Sequence, residues 1–132
     1  MLRFMLDTNI CIYVIKSRPA ELKDRFNSLS DQLCISAVSA AELVYGAEKS
    51  KRPAENLAVV EAFTARLEVL SFGAKAAAHY GQIRAALERE GKTIGPHDTM
   101  IGAHARSHGL ILVSNNLREF QRIAGLRTEN WI

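Results

Sequence analysis

The chain has 132 residues, 48% of them hydrophobic, and a formal net charge of +3. That length bounds a single domain, residues 1–132, with one core, and no apolar run approaches the ~18 residues that span a bilayer. No basic segment followed by an apolar stretch and a cleavage site opens the chain, so a cytosolic location is expected. Residues 1–66 carry nine basic and eight acidic side chains and residues 67–132 carry eight and six, so the mild basicity is spread along the chain and is only weakly indicative of a polyanionic partner. Cys11 and Cys34 lie in apolar contexts without C-x-x-C spacing and read as reduced core residues.

In chain order, residues 2–6 form a short apolar run ending on Asp7-Thr8-Asn9. Asp7 is suited to cap a helix over residues 8–16. Pro19 fits the first turn of a second helix over residues 19–29. Leu33-Cys34-Ile35 is too short for a helix and reads as a second strand. Ser36 or Ser39 then caps a helix reaching about residue 49. Pro53 opens another helix, with Leu57, Val60, Phe63 and Leu67 at helical spacing. Val69-Leu70 is a third strand. Residues 73–90 form an Ala-rich helix closed by Gly91. Gly95-Pro96 opens a helix to about residue 108, residues 110–113 form a fourth strand, residues 118–123 a short helix, and residues 126–131 an edge strand. Alternating short strands and longer helices predict an α/β fold with a parallel sheet covered on both faces.

Four acids stand out by position. Asp7 follows strand one, Glu42 lies inside the helix after strand two, Asp98 in the first turn after Gly95-Pro96, and Glu119 just beyond strand four. If strands one and four are adjacent, Asp7 and residues 114–119 meet at one end of the sheet, where open α/β sheets bind ligands. Asp98 shares a helical face with Ile101 and Ala105, and Glu42 with Val38 and Tyr45, so each acid sits on a partly apolar stripe. A buried carboxylate is costly unless paired or bound to metal. Converging acids without basic partners call for a hard divalent cation such as Mg²⁺ or Mn²⁺. Each acid also has a plain structural alternative: a cap for Asp7, a solvated helix position for Glu42, and a helix N-terminus for Asp98 and Glu119.

Other chemistries lack their residues. There is no phosphate-binding G-x-x-x-x-G-K-[ST], no G-x-G-x-x-G, no G-x-S-x-G and no H-E-x-x-H. A phosphatase-type pocket wants an acid where Asn9 stands, and a receiver-type pocket wants a lysine that residues 110–132 lack. His104 and His108 have zinc-compatible spacing, but no third partner accompanies them and an exposed helix end is expected there. His97, beside Asp98, is placed to touch substrate. Lys49, Lys51 and Arg52 are the densest basic run and are either a solvated linker or phosphate contacts.

Four segments, Met5-Leu6-Asp7-Thr8-Asn9, Ala41-Glu42-Leu43-Val44-Tyr45-Gly46-Ala47-Glu48, residues 95–105 from Gly95-Pro96-His97-Asp98 onward, and Leu112-Val113-Ser114-Asn115-Asn116-Leu117-Arg118-Glu119-Phe120, together resemble the PIN-domain nucleases. The likeness is strongest to the enterobacterial VapC toxins of toxin–antitoxin pairs and runs in order over the whole chain. The resemblance implies a three-layer α/β/α fold with about five parallel strands. It implies Mg²⁺- or Mn²⁺-dependent cleavage of RNA by water, leaving a 5′-phosphate and a 3′-hydroxyl. Carried over by position, Asp7, Glu42 and Asp98 match the three core acids. Many members have an Asp where this chain has Asn116, which leaves Asn116 to hydrogen-bond around the ion and Glu119 to act behind the ligands or at a second ion. Ser114 keeps the hydroxyl of the usual Thr, and Thr8 and Asn9 fix the Asp7 turn. A transfer RNA substrate, the initiator anticodon loop, a cognate VapB-type antitoxin covering the acidic groove, and a toxin homodimer are also implied. A non-catalytic RNA- or partner-binding module of the same fold, and a DNA nuclease of similar chemistry, stand as alternatives.

Overall fold

The computed structural model describes residues 1–132. Five strands, β1 (Phe4–Leu6), β2 (Leu33–Ser36), β3 (Glu68–Leu70), β4 (Ile111–Val113) and β5 (Thr128–Glu129), form one sheet in the order β3-β2-β1-β4-β5. Every pairing is parallel, and β1 runs beside β4 with Leu6 opposite Val113. The helices are α1 (Thr8–Ile15), α2 (Ala20–Ser28), α3 (Ala37–Glu48), α4 (Pro53–Thr64), α5 (Ala74–Glu90), α6 (Pro96–Ser107) and α7 (Leu117–Phe120). No helix is long and apolar enough to cross a membrane.

Side chains alternate across a strand, so β1 feeds two cores. Phe4 and Leu6 join Leu33, Ile35, Ile111 and Val113 under α1 to α4. Met5 joins Cys34 and Leu112 under α5 and α6, with Phe120 from α7. This is the expected three-layer arrangement. The chain builds outward from β1 through β2 to β3, then returns to place β4 on the other side of β1. That reversal opens a crevice between the carboxyl ends of β1 and β4.

Local sequence explains most boundaries. Asp7 caps α1 by accepting from Ile10 N–H at 2.9 Å, and Ser36 caps α3 by accepting from Val38 N–H at 3.0 Å. Pro53 and Pro96 open α4 and α6. Gly91, at φ 66°, closes α5 in the left-handed region that glycine tolerates best.

Four details depart from the sequence reading. A 3₁₀ turn at Ser30–Gln32 precedes β2, and Pro19 sits just before α2 rather than in its first turn. β3 is largely exposed because it is an edge strand, so continuous apolarity marks only the inner strands. His104 is wholly buried, not at an exposed helix end, because α6 is embedded between α5 and the sheet. Both cysteines are free and buried, and burial pushes the Cys34 thiol up to about 12, with Glu68 adding to the shift.

Candidate active site

Asp7 stands where β1 becomes α1. Its backbone N–H donates to Val113 O at 3.0 Å, which ties it to β4 at the crevice. The residue is 4% exposed. Burial raises its pKa, opposed by the Ser114 hydroxyl and the Ile10 N–H, while the charge of Glu42 adds to the rise.

Glu42 projects from α3 toward α1. Thr8 Oγ1 donates to Glu42 Oε1 at 2.5 Å and lies 3.2 Å from Ser39 Oγ. A threonine hydroxyl has one proton. With that proton on Glu42, Ser39 is the donor to Thr8, and the buried Ser39 holds Thr8 in place. The other carboxylate oxygen, Oε2, lies 3.1 Å from His97 Nδ1. The stripe of Val38, Glu42 and Tyr45 is split: Val38 packs against the second core, Glu42 is half-buried and Tyr45 is exposed. The core face of α3 is Ser39, Leu43 and Ala47, and the Glu42 stripe lines an open groove of about 800 Å³.

Asp98 occupies the first turn of α6 and Glu119 lies in α7. The two carboxyl groups lie within hydrogen-bonding reach of each other. Burial, then the hydrogen bond and charge of Glu119, then Asp7 and Glu42, push Asp98 up to about 6. The stripe of Ile101 and Ala105 beside Asp98 is fully buried, as its spacing predicted.

The four acids therefore share one electrostatic centre built from α1, α3, α6 and α7 at the β1–β4 crevice. No lysine or arginine forms an ion pair with any of them; their one basic partner is His97 on Glu42. No three of them close around a single point as a preassembled cage. Like charges in that position repel, which adds to the upward shifts of Asp7 and Asp98, while Thr8 donates to Glu42. An all-oxygen, uncompensated donor set fits a hard divalent cation that keeps several of its waters.

The remaining predicted residues fall into two groups. Thr8 donates to Glu42, and Ser114 stands beside Asp7, near enough to favour its charged form. Asn9 is exposed on the groove wall and makes no hydrogen bond within the chain. Asn116 precedes α7 without a side-chain cap, and its backbone N–H donates to Ser114 Oγ at 2.8 Å. Ser39 was read from the sequence only as a possible cap; its place behind Thr8 required the packing of α1 on α3.

Residues 4–126 match the PIN domain family. The chain is 59% identical over 131 residues, 99% of each chain, to the tRNA(fMet)-specific endonuclease VapC of Shigella flexneri. The chain belongs to the PIN-domain family, in its VapC branch. This VapC chain is also 58% identical over the full length of both chains to ribonuclease VapC2 of Haemophilus influenzae. Its fold superposes on the DNA-bound VapBC structure from Salmonella typhimurium with a TM-score of 0.96, at 56% identity and full coverage of both chains. The family match begins with β1 and ends after α7, so all four acids of this VapC lie inside it.

Proposed function

We propose that this VapC chain is the toxin of a toxin–antitoxin pair and a metal-dependent endoribonuclease. Its substrate class is transfer RNA, with the initiator anticodon loop as the target. The observation that carries the chemistry is the cluster of four carboxylates without a lysine or arginine partner at the β1–β4 crevice. The names borne by relatives at 56 to 59% identity support RNA, and tRNA(fMet) in particular, as the substrate. VapBC complexes among the similar structures support a cognate antitoxin as partner and a toxin–antitoxin hetero-oligomer; a toxin homodimer is part of the same proposal.

Asp7, Asp98 and Glu42 would hold Mg²⁺ or Mn²⁺. Such an ion supplies Lewis-acid polarisation of the phosphodiester and a lowered pKa for the attacking water. The chain's own residues orient the site. Thr8 and His97 fix the two oxygens of Glu42, Ile10 N–H fixes Asp7, and the Ser114 hydroxyl nearby favours the charged form of Asp7. A carboxylate oxygen of Glu42 or Asp98 takes the proton from water, and Glu119 lies beside Asp98, where its charge raises the proton affinity of Asp98. Attack by water leaves a 5′-phosphate and a 3′-hydroxyl.

The test uses purified, antitoxin-free chain with RNA and with DNA, in Mg²⁺ or EDTA, beside Asp7→Ala. Cleavage of RNA that needs the metal and Asp7, with 5′-phosphate ends, is expected. A 2′,3′-cyclic phosphate, or cleavage surviving EDTA, sinks the metal mechanism. Binding without cleavage of either polymer favours the non-catalytic module, and preference for DNA the alternative nuclease.

A further inference from the structure

We propose that the exposed face of α3 from Glu42 through Tyr45 and Gly46 to Lys49 is a nucleotide platform, on which Tyr45 stacks an unpaired base of the RNA and Lys49 holds a neighbouring phosphate. The proposal rests on the ribonuclease reading above and names what lies beside its acids.

Glu42, Tyr45, Gly46 and Lys49 stand at i, i+3, i+4 and i+7, one face of one helix. The helix rise spreads them over about 10 Å. Apart from the terminal Met1, Tyr45 is the most exposed large hydrophobic side chain, at 65%. Lys49 Nζ lies 4.9 Å from its ring centroid, covering one face of the ring with a cation and leaving the rest to the groove. The groove wall runs without a break from the acidic centre at Thr8, Glu42 and His97 to Tyr45, Gly46 and Lys49.

Gly46 is the second observation. A glycine inside a helix weakens it relative to alanine. A Cβ at Gly46 would meet nothing within 4 Å, so packing inside the chain does not require the glycine. The missing side chain leaves the groove floor open beside Tyr45, where a flat occupant would rest against the helix.

Charge decides the class of that occupant. Beyond Tyr45 the face ends on Lys49, and the turn that follows carries Lys51 and Arg52, all three exposed, with Arg52 paired to Glu55 at 3.5 Å. A strand that carries phosphates to this basic end, bases to the ring and its scissile bond to the acids matches all three features. Bases splayed from RNA loops stack on aromatic rings whatever their identity.

The experiment reads binding of a fluorescein-labelled RNA hairpin with an unpaired loop, by anisotropy, in an Asp7→Ala background that does not cleave. Cleavage of the same hairpin is followed in otherwise unmodified chain. Tyr45→Ala should weaken binding about 5- to 100-fold, and Tyr45→Trp should retain it. Lys49→Ala should weaken binding and reduce the dependence of log K on log salt by about one. Gly46→Ala should raise the melting temperature yet weaken RNA binding, which no loss of folding can mimic. If Tyr45→Ala and Gly46→Ala bind the hairpin like their parent while the unmodified chain still cleaves it, the platform is wrong and the face belongs to a protein partner. If the unmodified chain neither binds nor cleaves RNA, the ribonuclease reading falls first and takes the platform with it.

Discussion

Thr8 Oγ1 donates to Glu42 Oε1 at 2.5 Å, joining the first turn of α1 to the middle of α3 across the groove. It sets one wall of the acidic centre relative to the other. Hydrogen bonds to charged groups contribute about 1.5–3 kcal/mol, so Thr8→Val should slow RNA cleavage about 10- to 100-fold by freeing Glu42. Thr8→Ser keeps the donor and should stay close to the unmodified rate. Single-turnover cleavage at saturating Mg²⁺ separates the two variants, and equal rates would show that Glu42 does not need this anchor.

Asp7 serves the fold and the site with different parts of its chemistry. Capping needs an acceptor oxygen; the ion needs the charge. Asp7→Asn should therefore abolish cleavage and keep the stability of α1, whereas Asp7→Ala should abolish cleavage and lose the cap, about 1 kcal/mol. Urea unfolding checks this. An Asn variant as destabilised as the Ala variant would mean that the carboxylate's charge contributes to folding.

The uncompensated acids predict that a divalent ion stabilises the folded chain. A ligand at 100 times its dissociation constant contributes about 2.7 kcal/mol, enough to move a melting transition. Mg²⁺ or Mn²⁺ should raise the melting temperature at constant ionic strength, and Asp7→Ala and Asp98→Ala should remove the increase. An equal increase in the variants would place the ion elsewhere.

His104 predicts a pH dependence of stability. Its Nδ1 lies 2.8 Å from Ser36 Oγ, which already accepts from Val38 N–H and so has its own proton free for the ring. Its Nε2 is buried without a hydrogen-bond partner; the Ser71 backbone lies near enough to favour the charged ring without meeting hydrogen-bond geometry. Burial, then the neighbouring His108, lowers its pKa from 6.5 to about 4. The unfolded chain thus binds the extra proton first, and stability falls as pH drops from 6.5 toward 4, by about 3 kcal/mol at the low end. Asp98 acts with the opposite sign: raised from 3.8 to about 6, it gains stability as pH falls through that window. The difference between unmodified chain and His104→Gln isolates the histidine. Urea midpoints that converge as pH falls from 7.5 to 4.5 are expected, and parallel curves would reject the assignment.

Much of the architecture was legible locally. The apolar runs at β1, β2 and β4, the Asp7 and Ser36 caps, Pro53 and Pro96 at helix starts and Gly91 at a helix end all depend on neighbours a few residues away. Edge strands were harder. β3 is exposed and β5 has two residues, so neither carries the continuous apolarity of a strand buried on both faces. Helical spacing placed Asp98 correctly beside a buried stripe, but of the Glu42 stripe only Val38 reaches the core, because periodicity reports which residues share a face and not what covers that face.

The sequence by itself determined the chemical inventory: oxygen ligands at strand and helix ends, no alternative catalytic motif, and an order of elements that demands a parallel sheet. Tertiary structure alone decided what those residues do to one another. The return of the chain to lay β4 beside β1 brings Ser114 to Asp7. The packing of α6 and α7 brings Asp98 and Glu119 within reach of each other, and burial of α6 turns the expected surface His104 into a buried neutral one. Desolvation and Coulomb energies depend on distances through space, between residues that chain position separates by dozens of places.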